Sequence, residues 1–278
     1  MLTQLDKARA FRALHERKGA FIIPNPYDAG TARLLAHLGF EALATTSAGY
    51  AFSRGKPDHG ITRDDMLEHV AFIAAAVDLP VSGDLENGFG DSPEDAAQTI
   101  VLAAAAGLVG ASIEDSTNRP GGPIYEVSFA AERIRAAAEA AKTLLFPFML
   151  TARAENYLHG RNDLADTIKR LQAYQQAGAN VLYAPGITRK EDIETVVRSV
   201  DRPVNVLAGL GDAPLDFATL SALGVKRISV GGALSRAALG AFLRAAHEIR
   251  DRGTFTFAKD AANGRELNII FERYEQRH

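Results

Sequence analysis

The stretch Leu79-Pro-Val-Ser-Gly-Asp-Leu-Glu-Asn-Gly-Phe-Gly90 sets the pattern that the rest of the chain repeats. Leu79, Pro80 and Val81 begin a short buried strand, and the sequence then turns abruptly to acid and glycine. A strand that is apolar along its length is covered on both faces, as in a parallel sheet. Asp84 and Glu86 stand two residues apart, so on an extended backbone their carboxylates point the same way. Such a pair repels unless a cation or a proton is shared between the two groups. Gly88 and Gly90 make the following turn permissive and let the backbone approach a ligand. An isolated Asp-x-Glu is most often a solvated acidic turn. Here a second acid pair, Glu114-Asp115, ends another apolar run, and together they favour an oxygen-rich site for a hard divalent cation such as Mg²⁺.

Outward from this stretch the same unit recurs. Ser92 caps a helix with Pro93 at its first position, which ends near Gly107. Upstream, Thr62-Arg-Asp-Asp65 approximates a capping box opening a helix to about Val77. Strands are expected at Ala20–Ile23, Phe40–Thr45, Leu79–Gly83, Leu108–Ile113, Phe146–Thr151, Asn180–Tyr183, Pro203–Leu207 and Arg227–Val230. Further helices are expected at Leu5–Arg17, Asp28–His37, Ser128–Lys142, Asp163–Ala177, Lys190–Val200, Asp216–Leu223, Ser235–Arg250 and Gly264–Tyr274. A glycine-flanked loop with Arg54, Lys56 and Asp58 is expected to follow Thr46-Ser47-Ala48-Gly49. Strands alternating with helices are the signature of an α/β protein with a parallel sheet and crossover helices. Eight such units favour a closed (β/α)₈ barrel over an open Rossmann sheet. No G-x-G-x-x-G follows the first strand, which further lowers the dinucleotide reading. No linker or low-complexity segment divides the chain, so residues 1–278 read as one barrel domain with an N-terminal helix and a C-terminal helical extension.

Composition agrees. A barrel of this kind commonly needs about 250 residues, and 278 are present, 47% of them hydrophobic. The net charge is −3 with no basic stripe, which excludes nucleic acid as a partner. There is no cysteine, hence no disulfide, thiolate metal site or cysteine nucleophile. Residues 1–17 are charged and amphipathic, unlike a signal peptide. No apolar run approaches the roughly 20 residues of a membrane span. A cytoplasmic protein acting on a small molecule, with no membrane partner, is expected.

In a (β/α)₈ barrel the chemistry sits at the C-terminal ends of the strands. Polar residues fall there in order: Ser47, then Asp84 and Glu86, Glu114 and Asp115, Thr151, Arg153 and Glu155, Tyr183, and Asn205. This convergence points to an enzyme. Each residue also has a plainer reading. Ser47 beside Gly49 forms a turn, or offers a hydroxyl with adjacent N–H groups for a substrate oxyanion. Arg153 directly after a buried strand needs an anion, either Glu155 or a substrate carboxylate held bidentately, and the substrate is favoured. Glu114 is either a salt-bridge partner of Arg153 or a metal ligand through water, and Asp115 anchors the loop that follows. A strand-end tyrosine such as Tyr183 is usually packed with its hydroxyl satisfied. His59, His69, His159 and His247 show no metal-ligand spacing and read as surface or supporting residues.

Gly83-Asp-Leu-Glu-Asn-Gly-Phe-Gly90 and Ser112-Ile-Glu-Asp115, supported by Thr46-Ser-Ala-Gly49, Lys56-Pro-Asp58 and Thr151-Ala-Arg153, in this order resemble the isocitrate lyase / phosphoenolpyruvate mutase superfamily from Pro24 to about Leu239. The resemblance implies a (β/α)₈ barrel whose last barrel helix is exchanged between subunits of a homodimer or homotetramer. It implies Mg²⁺, with Mn²⁺ as a substitute, bound chiefly at Asp84, with Asp58, Glu86 and Glu114 around it. The substrate implied is a small 2-oxo or 2-hydroxy carboxylic acid, met by the metal, by N–H groups at Ser47, Ala48 and Gly49, and by Arg153. Tyr183 and Asn205 complete the expected binding set, and Arg153, Glu114, Asn118 and Tyr125 the expected catalytic set, with Arg119 also near the substrate. Members of the superfamily break or form a C–C or C–P bond through an enolate stabilised by the metal and backbone donors.

The departures narrow the reading. Isocitrate and methylisocitrate lyases carry a cysteine in a Lys-Lys-Cys-Gly-His loop after the fourth strand. Here that loop is Asp115-Ser-Thr-Asn-Arg-Pro-Gly-Gly-Pro-Ile-Tyr125, so those two activities are not expected. Thr117-Asn118 resembles part of the phosphonopyruvate enzymes' gating loop, and Pro-Gly-Gly suits a lid. The leading expectation is a Mg²⁺-dependent carbon–carbon lyase of a 2-oxo or 2-hydroxy (di)acid. The alternatives are a phosphonopyruvate mutase or hydrolase, and a non-catalytic 2-oxo acid binder. Oligomerisation is further expected from the apolar segment Asn268–Phe271, whose exposure in a monomer is unfavourable.

Overall fold

The computed structural model describes residues 2–210 and 215–275. Eight strands form one parallel sheet: β1 (Phe21–Ile23), β2 (Leu43–Ala44), β3 (Val81–Asp84), β4 (Gly110–Glu114), β5 (Met149–Arg153), β6 (Val181–Tyr183), β7 (Val204–Leu207) and β8 (Arg227–Ser229). Their order is β1-β8-β7-β6-β5-β4-β3-β2. The two end strands meet where the Ala44 N–H donates to the Pro24 carbonyl at 3.1 Å, which curls the sheet into a (β/α)₈ barrel. The helices are α1 (Gln4–Glu16), α2 (Ala29–His37), α3 (Ser47–Ser53), α4 (Arg63–Ala76), α5 (Pro93–Ala105), α6 (Val127–Lys142), α7 (Leu164–Ala177), α8 (Lys190–Arg198), α9 (Phe217–Ala222), α10 (Ala233–Arg252) and α11 (Gly264–Glu275).

Local chemistry sets the helix starts. Thr3 and Asp6, Asp28 and Thr31, Thr62 and Asp65, and Ser92 and Asp95 form reciprocal capping boxes at α1, α2, α4 and α5. Each satisfies N–H groups that the first turn leaves open, at about 1 kcal/mol per cap. The helices bury one face against the barrel wall, where Ile73, Ile100, Ile134 and Leu171 meet strand residues such as Leu43, Val81, Ile113, Leu150 and Leu182. The N-terminal helix plugs the bottom of the barrel. Ala8, Phe11 and Leu14 of α1 pack with Phe21 and Ile23 of β1 and with Val109, Met149 and Val181 at or just before the starts of β4, β5 and β6. Phe11 comes so close that a Cβ at Gly110 would lie 2.8 Å from its Cε1. With the bottom shut, the opposite end is where the barrel interior opens.

Three sequence expectations change. The chain after β2 is a helix, α3, because the Thr46 hydroxyl caps it by accepting from the Gly49 N–H at 3.2 Å. The strand expected over Phe40–Thr45 shortens to Leu43–Ala44, since Gly39 at φ 87° and the Phe40 N–H to the Leu35 carbonyl keep Phe40 in the helix cap. Asn268–Phe271 is only partly uncovered, with Ile270 buried and Ile269 48% exposed. It lies in α11, which packs on α2 with the Tyr274 hydroxyl donating to the Arg33 carbonyl at 3.1 Å. The more exposed apolar face is on α10, whose Phe242 is 70% and Leu243 55% exposed. No helix among the described residues is long and apolar enough to cross a membrane.

Candidate active site

A cavity of about 330 Å³ opens at the C-terminal ends of the strands. One row of the sheet register runs through its wall: Glu114 pairs with Arg153, Arg153 with Tyr183, Tyr183 with Asn205, and Asn205 with Arg227. Ser47, Ala48, Asp58, Asp84, Glu114, Arg153, Tyr183 and Asn205 line it, as expected from the sequence. Asn25, His59, Ser112, Ser116, Glu155, His159, Arg227 and Ser229 line it as well. Asn25 ties three strand ends together, donating from Nδ2 to the Thr45 carbonyl at 2.9 Å and accepting at Oδ1 from the N–H groups of Val230 and Gly231.

Arg153 is the hub of the upper half. Its Nη1 lies 2.7 Å from Asp84 Oδ1, its Nη2 3.1 Å from Glu114 Oε2 and its Nε 2.9 Å from Glu155 Oε1. Burial opposes the guanidinium charge, but Glu155, Glu114 and Asp84 outweigh it and hold Arg153 well above its ordinary range. Burial also lifts the Glu114 carboxyl well above the usual carboxylate range, against the pull of Arg153. Asp84 is oriented from its other side, where Oδ2 accepts from the Ser47 N–H at 3.0 Å and the Ser47 hydroxyl at 2.9 Å. At the rim, His59 Nδ1 lies 3.4 Å from Glu86 Oε2, and that contact raises its pKa to about 9. His159 Nε2 lies 3.2 Å from Ser116 Oγ, and burial lowers its pKa, so this imidazole is neutral at neutral pH.

The lower half is built on β6, β7 and β8. The Asn205 Nδ2 donates to Ser229 Oγ at 2.9 Å, and its Oδ1 accepts from Arg227 Nε at 2.9 Å. Tyr183 hydrogen-bonds Ser229, and burial pushes its phenol up to about 12. Its ring also lies under the Arg153 guanidinium, 5.3 Å away. Burial lowers Arg227 to about 10, and its Nη1 has no hydrogen-bond partner among the described residues.

A family model described as phosphoenolpyruvate phosphomutase matches residues 11–250. The chain belongs to this family of enzymes. Its structure superimposes on a candidate lyase/mutase from Burkholderia cenocepacia J2315, 65% identical, with a TM-score of 0.95 over 97% of each chain. Oxaloacetate acetylhydrolase solved with its product oxalate is 27% identical, with a TM-score of 0.85 over 95% of this chain and 93% of that one. By sequence, the 2-methylisocitrate lyase of Escherichia coli (strain K12) is 32% identical over 204 residues, 70% of this chain and 68% of the relative.

For this phosphomutase-family chain, several expected site residues sit elsewhere. Glu86 does not share the face of Asp84, because β3 ends at Asp84 and Glu86 takes φ 49°, in the left-handed region. Its side chain lies in a neighbouring groove with His59 and Asn118. Gly49 is buried with its N–H spent on the Thr46 cap, so it is not a donor to the cavity. The Ser47 N–H is held by Asp84, and Ala48 beside it lines the cavity. Tyr125 is outside the cavity lining: its hydroxyl donates to Asp91 Oδ1 at 2.5 Å, and its ring lies under Arg133 at 4.6 Å. Arg119 pairs with Asp91 at 2.8 Å, so both side chains are tied to Asp91 across from the 116–125 loop. Asn118, at φ 57°, turns its Oδ1 back to the Ser116 hydroxyl at 2.9 Å. Asp115 anchors that loop as expected. It accepts from Tyr174 at 2.6 Å and Arg170 at 3.0 Å, and Arg170 also donates to the Tyr125 carbonyl at 2.7 Å.

Sequence spacing missed His59 and His159 because neither stands in a ligand motif; the turns after α3 and β5 bring them in. Arg227 had a readable signal. It is a charged residue inside an apolar strand, on the same face as Ser229. The donor set suits a hard cation. Glu86 Oε1 and Glu114 Oε1 are buried without hydrogen-bond partners, and all nearby acids are oxygen donors. No group of three or more His, Cys, Asp or Glu residues among the described residues could hold a metal directly.

Proposed function

We propose that the protein is a Mg²⁺-dependent carbon–carbon lyase of a small 2-oxo or 2-hydroxy carboxylic acid. The carrying observation is the buried Asp84–Arg153–Glu114–Glu155 cluster at the strand ends, inside a cavity sized for a small molecule. Breaking a C–C bond beside a carbonyl leaves negative charge on the carbonyl oxygen as an enolate, so such a site needs fixed positive potential and donors. Mg²⁺ would be held chiefly by Asp84, with Asp58, Glu86 and Glu114 reached through water, and would supply a Lewis acid at that oxygen. The rest falls to the chain. Ser47 fixes the Asp84 carboxylate from behind, and the Ala48 N–H beside it would meet the substrate oxygens. Arg153 balances three carboxylates in a site that would otherwise be too acidic for an anionic substrate.

Proton transfer falls to His159 and Ser116. A neutral imidazole that lines the cavity and touches a hydroxyl can take a proton from a substrate hydroxyl or return one to the carbanion. With no cysteine in this chain, such an imidazole would supply the acid–base group from the turn after β5. The acetylhydrolase with bound oxalate and the 2-methylisocitrate lyase act on acids of this chemical class, which supports the reading. The exposed Phe242 and Leu243 of α10 support assembly by exchange of this helix with a second copy.

The test is an assay of purified protein with and without Mg²⁺. Its panel holds oxaloacetate, substituted malates, isocitrate, methylisocitrate and phosphonopyruvate. Mg²⁺-dependent release of pyruvate, glyoxylate or acetate is the expected result. Phosphate release would move the protein to the phosphonate branch, and binding without turnover would make it a 2-oxo acid binder.

A further inference from the structure

Arg227 is 4% exposed, at the first residue of β8, with its side chain in the cavity wall. Among the described residues it has no carboxylate partner. Its Nε is held by Asn205 Oδ1, while Nη1 is buried with nothing to donate to. Below it lies His15 of the plug helix, whose Nε2 is also buried without a partner and which burial and Arg227 together keep neutral. A guanidinium carries five N–H donors in a planar fork that matches a carboxylate. Burying that fork without an anion is unfavourable, and the arrangement persists more readily if an anion arrives in use. The Asp84 end of the cavity cannot supply one, because its carboxylates already surround Arg153.

We infer that Arg227 receives the remote carboxylate of the substrate, with Asn205 as the positioning residue that aims the guanidinium, so that the cavity selects dicarboxylates over monocarboxylates. This rests on the lyase reading and names its substrate class. Oxo-acid chemistry would occupy the Asp84 end, and the second carboxylate would reach the floor.

Two ligands that differ only in that carboxylate test it: 3,3-difluorooxaloacetate and 3,3-difluoropyruvate, titrated calorimetrically in Mg²⁺, with oxalate as a probe of the Asp84 end alone. Wild type is expected to favour the dicarboxylate by on the order of 100-fold, and Arg227→Met to lose that preference while oxalate and difluoropyruvate bind within about 2-fold of wild type. Arg227→Lys should keep part of the preference, since the charge remains without the fork. Ligand-free Arg227→Met should melt no lower than wild type, because it removes a buried unpaired cation. Should Arg227→Met not fold, Arg227→Lys decides, with at least about a 10-fold smaller preference expected. A preference that survives substitution, or an equal loss of both ligands and oxalate, overturns the inference. Wild type that binds oxalate but shows no dicarboxylate preference overturns it and leaves the lyase reading standing. Wild type that binds none of the three overturns both.

Discussion

Two arginines face one cavity and are treated in opposite ways. Arg153 touches three carboxylates and is held well above its ordinary pKa once those charges outweigh burial. Arg227, three strands further round the same register row, has one amide and no acid among the described residues, and burial lowers it to about 10. The first is a structural and electrostatic hub, satisfied before any ligand enters. The second is an unmet demand. An arginine's presence at a strand end therefore says little about substrate binding until its counter-charges are counted. By spacing alone Arg153 could serve either Glu155 or a substrate carboxylate, and the structure adds Asp84 and Glu114 to Glu155 around it while it still lines the cavity.

The comparison can be broken at either end. The largest expected effect is Asp84→Ala, which should lower kcat on any cleaved acid by about 10³-fold or more, checked by steady-state assay in Mg²⁺. Arg153→Met strands three carboxylates in the barrel and should cost about 3–5 kcal/mol in urea denaturation, whereas Arg227→Met should cost nothing. Equal losses would end the distinction. His159→Gln should slow turnover by about 10²-fold and leave oxalate affinity unchanged, the split that separates proton transfer from binding. On the outside of the barrel, the assembly proposed through α10 predicts that Phe242→Asp lowers the sedimentation coefficient relative to wild type, since a charge placed in such an apolar contact costs about 1–3 kcal/mol or more per copy.

The smallest effects are in pH. His59 is raised to about 9, chiefly by its hydrogen bond to Glu86. Its contribution to stability is thus complete below pH 6.5 and is lost as pH rises from 6.5 to about 9. Glu86→Gln should flatten the alkaline limb of a Tm–pH profile. His15 is lowered to about 3, by burial first and by Arg227 second, so its neutral form favours the folded state. That stability is lost as pH falls from 6.5 toward 3, and Arg227→Met should make this acid limb shallower without removing it.

Alternating apolar runs and capping residues already determine the barrel in the sequence. Strand covering and helix starts depend on neighbours a few residues away, so Ser92-Pro93 or Thr62-Asp65 can be read without a structure. The strand-end acids were legible for the same reason, since the fold dictates where strand ends converge. What no spacing could decide is which side chain meets which. Glu86 leaves the face of Asp84 through one left-handed residue, Tyr125 turns to Asp91, and two histidines with no motif enter the cavity from turns. Those outcomes depend on residues 27 to 69 positions apart in the chain, from His59 and Glu86 to Arg153 and Asp84. Charge pairing and burial act through space, and only closure of the barrel sets those distances.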